Sequence, residues 1–466
     1  MSDHPFRIAL VGNFSGRRTR PVPIEIDPDN FEEVMDRLGV AVELPAGTVP
    51  FRELDDFHPD HLYRHLPLFQ SLQAAREEIA RAKTVQVQPS PPPPAPPRPE
   101  RPPVSSSVSL LDQIVEVSEP VSAPAVSARD EKARDEKARH EKAHDEQAWS
   151  DAIRKIGAAH AIPAADPRRE ELIAQIDRAA AEQMRAILHW PAFQSLEAAW
   201  RSLFLLFRHV ETGVDLKIYL IDLTQDELFQ DAASLARLFT DLPVGEDPWS
   251  LIVGLYTFSP RERDCQVLAN LAAIARRAGA PFLSAIDARL FGCESIAATP
   301  DPDDWKRPLN DHDKRAWQQL RGSPDADWLG LAMPRFLLRL PYGKKTSPIE
   351  SFAFEEMPDG PDHDAYLWGN PAVACACLLG QAFNLDGWDF RPGSVTRMVG
   401  LPIHTDPVRE PTPPAEIWMS DRLAAAILDQ GVMPLASIKH TDAAQLLRFQ
   451  SIAGRVGEPR ALAGPW

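Results

Sequence analysis

The sequence is poor in cysteine, with four among 466 residues: Cys265, Cys293, Cys375 and Cys377. Four are too few for a disulfide scaffold in a chain of this length, and none has the paired spacing of a zinc site. Two of them lie in an apolar run, Ala372-Val-Ala-Cys-Ala-Cys-Leu-Leu. We expect these two thiols to be small buried hydrophobic groups, because free cysteine is among the most buried residue types.

The sequence also lacks a long apolar run and an excess of basic residues. No apolar stretch reaches about 18 residues and the N-terminus has no signal-peptide core, so we expect a cytoplasmic, soluble protein without membrane insertion. Asp and Glu number 67 against 50 Lys and Arg, which gives a formal net charge of −17. A surface of this sign repels phosphate backbones, and we therefore expect no nucleic-acid partner.

Glycine is scarce relative to proline, 23 against 46, and the prolines cluster. Residues 89–103 are mostly proline and predict an extended, semi-rigid spacer. A five-residue repeat begins at Ala128 (Ala-Arg-Asp-Glu-Lys) and predicts a solvated helical spacer with acid-before-base pairs. We therefore expect three regions: a compact unit over residues 1–83, a linker over 84–150 and a main domain over 151–466.

A short amphipathic island lies inside the predicted linker, at residues 109–118. Leu110, Leu111, Ile114 and Val115 cover one face of about two helical turns. An island of this length between two spacers does not fold alone, so it is interpreted as a docking peptide.

The main domain reads as alternating strands and helices. Strand patterns begin at Leu216, Leu251 and Pro281, and helical spacing lies between them; the small unit over residues 1–83 has its own strand pattern from Phe6. This order predicts an α/β fold with a mixed, largely parallel sheet flanked by helices, and with the small N-terminal α/β unit packed on it through the long linker. We also expect a helical segment over 329–340, and an irregular last third with one clear helix over 420–428.

No constellation of catalytic groups stands out. Gly343-Lys-Lys-Thr-Ser resembles half of a phosphate loop, but position 338 is leucine where a glycine is needed. His58, His61 and His65 lie beside three aspartates, yet His58 precedes Pro59 and falls outside the helix, so a solvated or interface cluster is favoured over a metal site. Ser15 has no glycine two residues before it and no paired base. We expect no enzyme activity, cofactor or metal; a nucleotide- or metal-binding regulator is the alternative of another class.

Several motifs resemble the contractile sheath of type VI secretion systems. The run from Pro5 to Arg17, Asp29-Asn-Phe-Glu-Glu-Val-Met and Leu54-Asp-Asp-Phe-His-Pro-Asp are similar to the small sheath subunit. The segments that begin at Ile187, Pro324 and Trp368, and the island at Ser109, are similar to the large subunit. The motif residues expected in the core or in assembly are Phe14, Phe31, Phe57, Phe193, Trp200, Trp328 and Trp368.

The resemblance implies a structural function. Small and large subunits of that family pair and stack around an inner tube, so the implied partners are other sheath subunits or copies of this chain, the tube protein, a baseplate and a AAA+ ATPase. The ATPase would engage Leu110, Leu111, Ile114 and Val115. The chain reads as a fused small and large subunit in which both halves are shorter than usual, and a sheath cap or baseplate adapter that does not polymerise is therefore the alternative.

Overall fold

The computed structural model describes residues 4–45, 47–81, 169–230, 232–241, 247–405, 411–455 and 457–466. The chain divides into two units, one made of Met1–Gln73 with Asp177–Trp466 and one of Ala74–Ile176. Of the second unit, only the ends of two helices fall within the described residues. In the first unit we call residues 4–73 the N-terminal segment and residues 177–466 the body.

The described strands and helices alternate along most of the chain. The strands are β1 (Phe6–Gly12), β2 (Ile24–Ile26), β3 (Ala41–Leu44), β4 (Gly47–Pro50), β5 (Leu216–Asp222), β6 (Leu251–Phe258), β7 (Phe282–Ile286), β8 (Leu329–Met333), β9 (Phe336–Leu337), β10 (Trp368–Gly369), β11 (Arg397–Met398), β12 (Met433–Ser437) and β13 (Ala444–Leu446). The helices are α1 (Phe31–Leu38), α2 (Pro59–His65), α3 (Pro67–Arg81), α4 (Arg169–Leu188), α5 (Pro191–His209), α6 (Gln225–Gln230), α7 (Ala232–Thr240), α8 (Glu262–Ala278), α9 (Asp311–Arg321), α10 (Pro371–Asp386) and α11 (Asp421–Asp429).

A nine-stranded sheet organises the first unit, in the order β11-β13-β12-β8-β7-β6-β1-β5-β2. Six strands run parallel to one another: β12, β8, β7, β6, β1 and β5. The outer strands β2, β13 and β11 are each antiparallel to a neighbour. Helices cover both faces: α8 shares one apolar cluster with Ala9 and Val11, and α10 packs against β6, β7 and β8 outside that cluster. The predicted α/β fold with a largely parallel sheet is confirmed.

The N-terminal segment supplies a central strand of this sheet. β1 pairs with β5 over seven residue positions, from Phe6 opposite Leu216 to Gly12 opposite Asp222, and with β6 on its other side. The segment is thus joined to the body more closely than by surface packing, because β1 closes a gap between two body strands. The order β5-β1-β6-β7-β8 is that of a doubly wound sheet in which the first strand lies second from one end.

Two local predictions need correction. The helix expected over 329–340 is wrong, because residues 329–333 form β8 and all five of its residues are buried. The last third also holds a second long helix, α10, whose N-cap Asn370 accepts a hydrogen bond from the amide of Ala372. The helix expected over 420–428 is confirmed as α11, and its N-cap Ser420 accepts a hydrogen bond from the amide of Leu423.

Candidate assembly interface

The loop after β1 is fixed to the body by one buried carboxylate. Asp222, at the end of β5, is 3% exposed. Its Oδ1 accepts hydrogen bonds from the amides of Phe14 at 2.7 Å and Ser15 at 3.0 Å, and its Oδ2 accepts one from the Thr19 hydroxyl at 2.6 Å. Ligands of doubly wound sheets bind at the carboxyl ends of the strands. Here the amides that follow β1 already bind an acidic side chain of the same chain, which disfavours a phosphate at this point.

Aromatic side chains from both parts of the chain form a second contact. Trp200 of α5 is fully buried and its Nε1 donates to the carbonyl oxygen of Phe14 at 2.9 Å. The rings of Phe14 and Phe31 each meet Trp200 edge to face, at centroid distances of 5.5 and 5.3 Å. Edge-to-face geometry is favourable for aromatic pairs. Three of the predicted motif residues therefore lie in one cluster.

A second aromatic cluster lies around Phe193. Phe51 stacks on Phe57 with a centroid distance of 4.1 Å. Both rings meet Phe193 edge to face, at centroid distances of 5.8 and 5.6 Å. All three side chains are at most 1% exposed. Phe57 and Phe193, which come from different halves of the sequence, thus share one apolar core.

Asp60 makes a fourth contact between the N-terminal segment and the body. Its carboxylate accepts hydrogen bonds from the amide of Glu350, at 3.1 and 3.0 Å, and from the amide of Ser351 at 2.8 Å. Burial alone would raise the pKa of Asp60, but the hydrogen bonds from Ser351 and Glu350 lower it below its usual range. The carboxylate is therefore held ionised by backbone donors of the body.

A buried ion cluster lies beneath this contact, inside the body. Arg339 donates to the carboxylates of Glu197 at 2.9 Å and Glu356 at 2.8 Å. Its guanidinium lies 4.3 Å from the ring centre of Tyr342, whose amide donates to Glu356 at 2.7 Å. Burial alone would raise the pKa of Glu356, but Arg339 and His189, whose Nε2 lies 3.4 Å from Glu356 Oε1, lower it to about 2. The cluster therefore carries full charges in a site that water hardly reaches.

His58, His61 and His65 each have partners within the protein. His58 is the N-cap of α2, since its Nδ1 accepts from the amide of Asp60 at 3.2 Å, and its ring meets Tyr342 edge to face at 5.0 Å. His61 lies 3.0 Å from Asp56, and His65 contacts the carbonyl oxygen of His61. Within the described ranges, no group of three or more His, Cys, Asp or Glu side chains is placed to hold a metal ion.

The Gly343 loop and the cysteines also have structural surroundings. Gly343 begins a tight turn in which its amide donates to the carbonyl oxygen of Ser347 at 2.9 Å, and Lys344 and Lys345 are exposed. The turn leads directly to the two amides that bind Asp60. All four cysteines are buried, and burial raises the pKa of the Cys375 thiol to about 12.

The two remaining motif tryptophans lie at β8 and β10. Trp328 precedes β8, is half-buried and packs against the apolar cluster that contains α8. Trp368 in β10 is half-buried, and its Nε1 donates to the carbonyl oxygen of His363 at 2.8 Å. The predicted docking residues Leu110, Leu111, Ile114 and Val115 lie outside the described residues, so their role stays a prediction.

Sequence reasoning missed Asp60 and Asp222 as contact residues. Each binds backbone amides that are distant in sequence, and backbone amides leave no side-chain pattern to find. Among helices within the described residues, none is long and apolar enough to cross a membrane.

Comparison with known proteins identifies similar sequences over the body. The family described as VipB: EvpB/VC_A0108, tail sheath N-terminal domain, matches residues 170–453. The chain is 35% identical over 303 residues to the type VI secretion system sheath protein TssC1 of Pseudomonas aeruginosa. The matched region covers 61% of this chain and 61% of TssC1, so the chain spans about three fifths of that relative's length.

Proposed function

Because this chain belongs to the VipB family of type VI secretion tail sheath proteins, we propose that it acts as a structural protomer that assembles around an inner tube. Members of this family are structural sheath proteins, and the expectation that the chain is not an enzyme is confirmed by its membership. Association with other sheath subunits follows from the same membership. The cytoplasmic location stays a prediction.

We further propose that residues 1–83 act as a small sheath subunit that is covalently joined to a large one. The observation that carries this proposal is the position of β1 between β5 and β6 of the body. A body without β1 would leave the backbone edges of two central strands unpaired, which is costly. The contacts of Asp222, Trp200 and Phe193 support the same pairing, because each joins the N-terminal segment to the body without a covalent link.

The further partners are proposals by family likeness. The inner-tube protein and a baseplate would contact the assembled protomers. A AAA+ ATPase would engage the face formed by Leu110, Leu111, Ile114 and Val115. A nucleotide- or metal-binding regulator is not favoured, because the amide of Gly343 donates to the carbonyl oxygen of Ser347 and the histidines have partners within the protein.

Electron microscopy of the purified full-length chain tests the assembly proposal, with light scattering as a second measure of size. We expect long hollow cylinders, because a protomer with complete sheet contacts can stack repeatedly. A Trp200→Asp variant, which places a charge in the aromatic cluster, is the negative control and should give none. Monomers or single closed rings of the unaltered chain would contradict the proposal and favour a sheath cap or adapter.

A further inference from the structure

The segment Leu54–Asp60 forms a turn that is held by its own hydrogen bonds. Asp56 is 6% exposed, and its carboxylate accepts from the amides of Arg52 at 2.6 Å and Glu53 at 3.2 Å. Pro59 then occupies the first turn of α2 behind the N-cap His58. Proline at this position already has the backbone angle of a helix. The amide proton that it lacks would have no partner within the helix in any case, because the first amides of a helix are unpaired. These contacts hold the turn from within the N-terminal segment.

Three residues of this turn contact the body one after another. Phe57 enters the aromatic cluster of Phe193, His58 meets Tyr342 edge to face, and Asp60 binds two backbone amides at residues 350 and 351. These are three different chemistries: an apolar ring, a polar ring and a charge. A surface that matches all three within four residues is selective, because a partner that lacks one of them leaves an unfilled space or an uncompensated group.

The ring of the body that His58 meets has several contacts of its own. Tyr342 is held by Arg339 on its ring face, by its own amide on Glu356, and by Arg201, whose Nη2 donates to the Tyr342 hydroxyl at 3.2 Å. Glu197, which binds both Arg201 and Arg339, is fully buried. The ion cluster therefore fixes the position of the ring that His58 meets.

Asp60 is the element with the sharpest requirement. Its residue is 8% exposed, so most of the water that would solvate its charge is replaced by the two amides of the body. A buried carboxylate without such donors is strongly unfavourable. A body whose loop did not present these amides would thus reject the turn, whatever the aromatic contacts contribute.

We propose that Phe57–Asp60 is the recognition element by which the body selects its small unit. The partner that fits is a polypeptide turn that presents an aromatic ring, a histidine, a proline and an aspartate in this order. The inference rests on the proposed function of residues 1–83 as a joined small subunit. It gives a common role to two motifs that carry no catalysis, the Leu54–Asp60 segment and the Gly343 loop that leads to the amides.

A chain that is nicked after folding tests the proposal. A protease site inserted after Pro120 allows the purified full-length protein to be cleaved between its two halves, and native mass spectrometry then follows the exchange of an isotope-labelled N-terminal half between nicked complexes. We expect Asp60→Asn to speed this exchange about tenfold relative to the unaltered protein, because hydrogen bonds to a charged group are stronger than those to a neutral amide. Asp55→Asn is the matched control, because Asp55 is an exposed carboxylate of the same turn, and it should exchange at the unaltered rate.

Hydrogen exchange of the β1 and β6 amides checks that each variant retains the sheet. If Asp60→Asn loses that protection, Asp60→Glu is used in its place, because glutamate keeps the charge but moves it away from the two amides. Asp60→Glu should also speed the exchange of the N-terminal half between complexes. If the N-terminal half of the Asp60 variant exchanges between complexes at the unaltered rate, the recognition role alone is overturned. Spontaneous separation of the unaltered halves after nicking would instead overturn the small-subunit proposal on which it rests.

Discussion

At the scale of single residues, Arg339 shows why a buried charge has to be read together with its partners. Its side chain is 9% exposed, and the carboxylates of Glu197 and Glu356 are 0% exposed. Removing ions from water is expensive, and their mutual attraction repays this only with good geometry and satisfied hydrogen bonds. Burial alone would lower the pKa of Arg339, but the two carboxylates raise it well above its ordinary value. The charges of the cluster therefore stabilise one another, and removing one of them leaves the others without a partner.

Replacing Arg339 is expected to destabilise the body strongly. Arg339→Met keeps much of the side-chain volume but leaves two buried carboxylates with one cation fewer, which typically costs about 3–5 kcal/mol. Urea denaturation followed by fluorescence measures the loss. Arg422→Met is the control, because Arg422 pairs with Asp303 on the surface and should leave the midpoint unchanged. Equal midpoints for the two variants would show that the cluster adds no net stability.

Contact residues could be predicted from the sequence where two side chains meet, and not where a side chain meets the backbone. Phe14, Phe31, Phe57, Phe193 and Trp200 were all singled out from motifs, and all five are buried around two clusters that join the halves. Their role in assembly stays a prediction. The contacts of Asp60 and Asp222 were not predicted, because an amide at residue 350 or at residue 14 leaves no trace in the pattern of side chains.

At the scale of elements, four strands of the parallel sheet were predicted from the sequence, and the order of the strands was not. β1, β5, β6 and β7 lie where apolar runs predicted them. The place of β1 between β5 and β6 depends on pairing across more than two hundred residues, which local patterns do not encode. The helix expected over 329–340 failed because a strand buried on both faces loses its alternation. α10 was missed for the related reason that it has no continuous polar face.

The turn after β1 depends on a glycine that approaches a neighbouring backbone. Gly16 has a φ of +76°, and a Cβ there would overlap the carbonyl oxygen of Ala41. Gly279 has a similar φ of +69°, but a Cβ there meets nothing within 4 Å. Both alanine variants should lose about 1–2 kcal/mol for the left-handed backbone. Gly16→Ala should lose about 1–3 kcal/mol more, because the backbone of Ala41 has to move.

Urea midpoints of the two glycine variants measure this difference. Hydrogen exchange of β1 then locates it, because a displaced turn should expose the end of β1 next to Gly12. Gly279→Ala is the matched control for the backbone term alone. Equal losses in the two variants would mean that the turn relaxes freely and that the close approach to Ala41 does not fix β1.

At the scale of the whole molecule, covalent connection and sheet completion act in the same direction. The body needs a central strand, the N-terminal segment supplies one, and the two are encoded in one chain. Joining two binding partners makes their association intramolecular and fixes a one-to-one ratio. The segment between Gln73 and Asp177 connects the two, and it also contains the amphipathic island at residues 109–118.

The island carries four apolar side chains, Leu110, Leu111, Ile114 and Val115. Leu111→Asp together with Ile114→Asp places two charges on its apolar side chains, which should abolish binding of the proposed AAA+ ATPase, because an amphipathic helix binds through its apolar anchors. Ser109→Asp with Gln113→Asp adds the same charge without removing an apolar side chain, and should bind as the unaltered chain does. Fluorescence anisotropy of the labelled full-length chains against the purified ATPase compares the three. Hydrogen exchange of β1 should be the same in all of them, since the island lies far along the chain from the strands of the sheet. Unchanged binding by the Leu111 and Ile114 variant would remove the assignment, whereas equal weakening in both variants would attribute the effect to net charge and not to the apolar face.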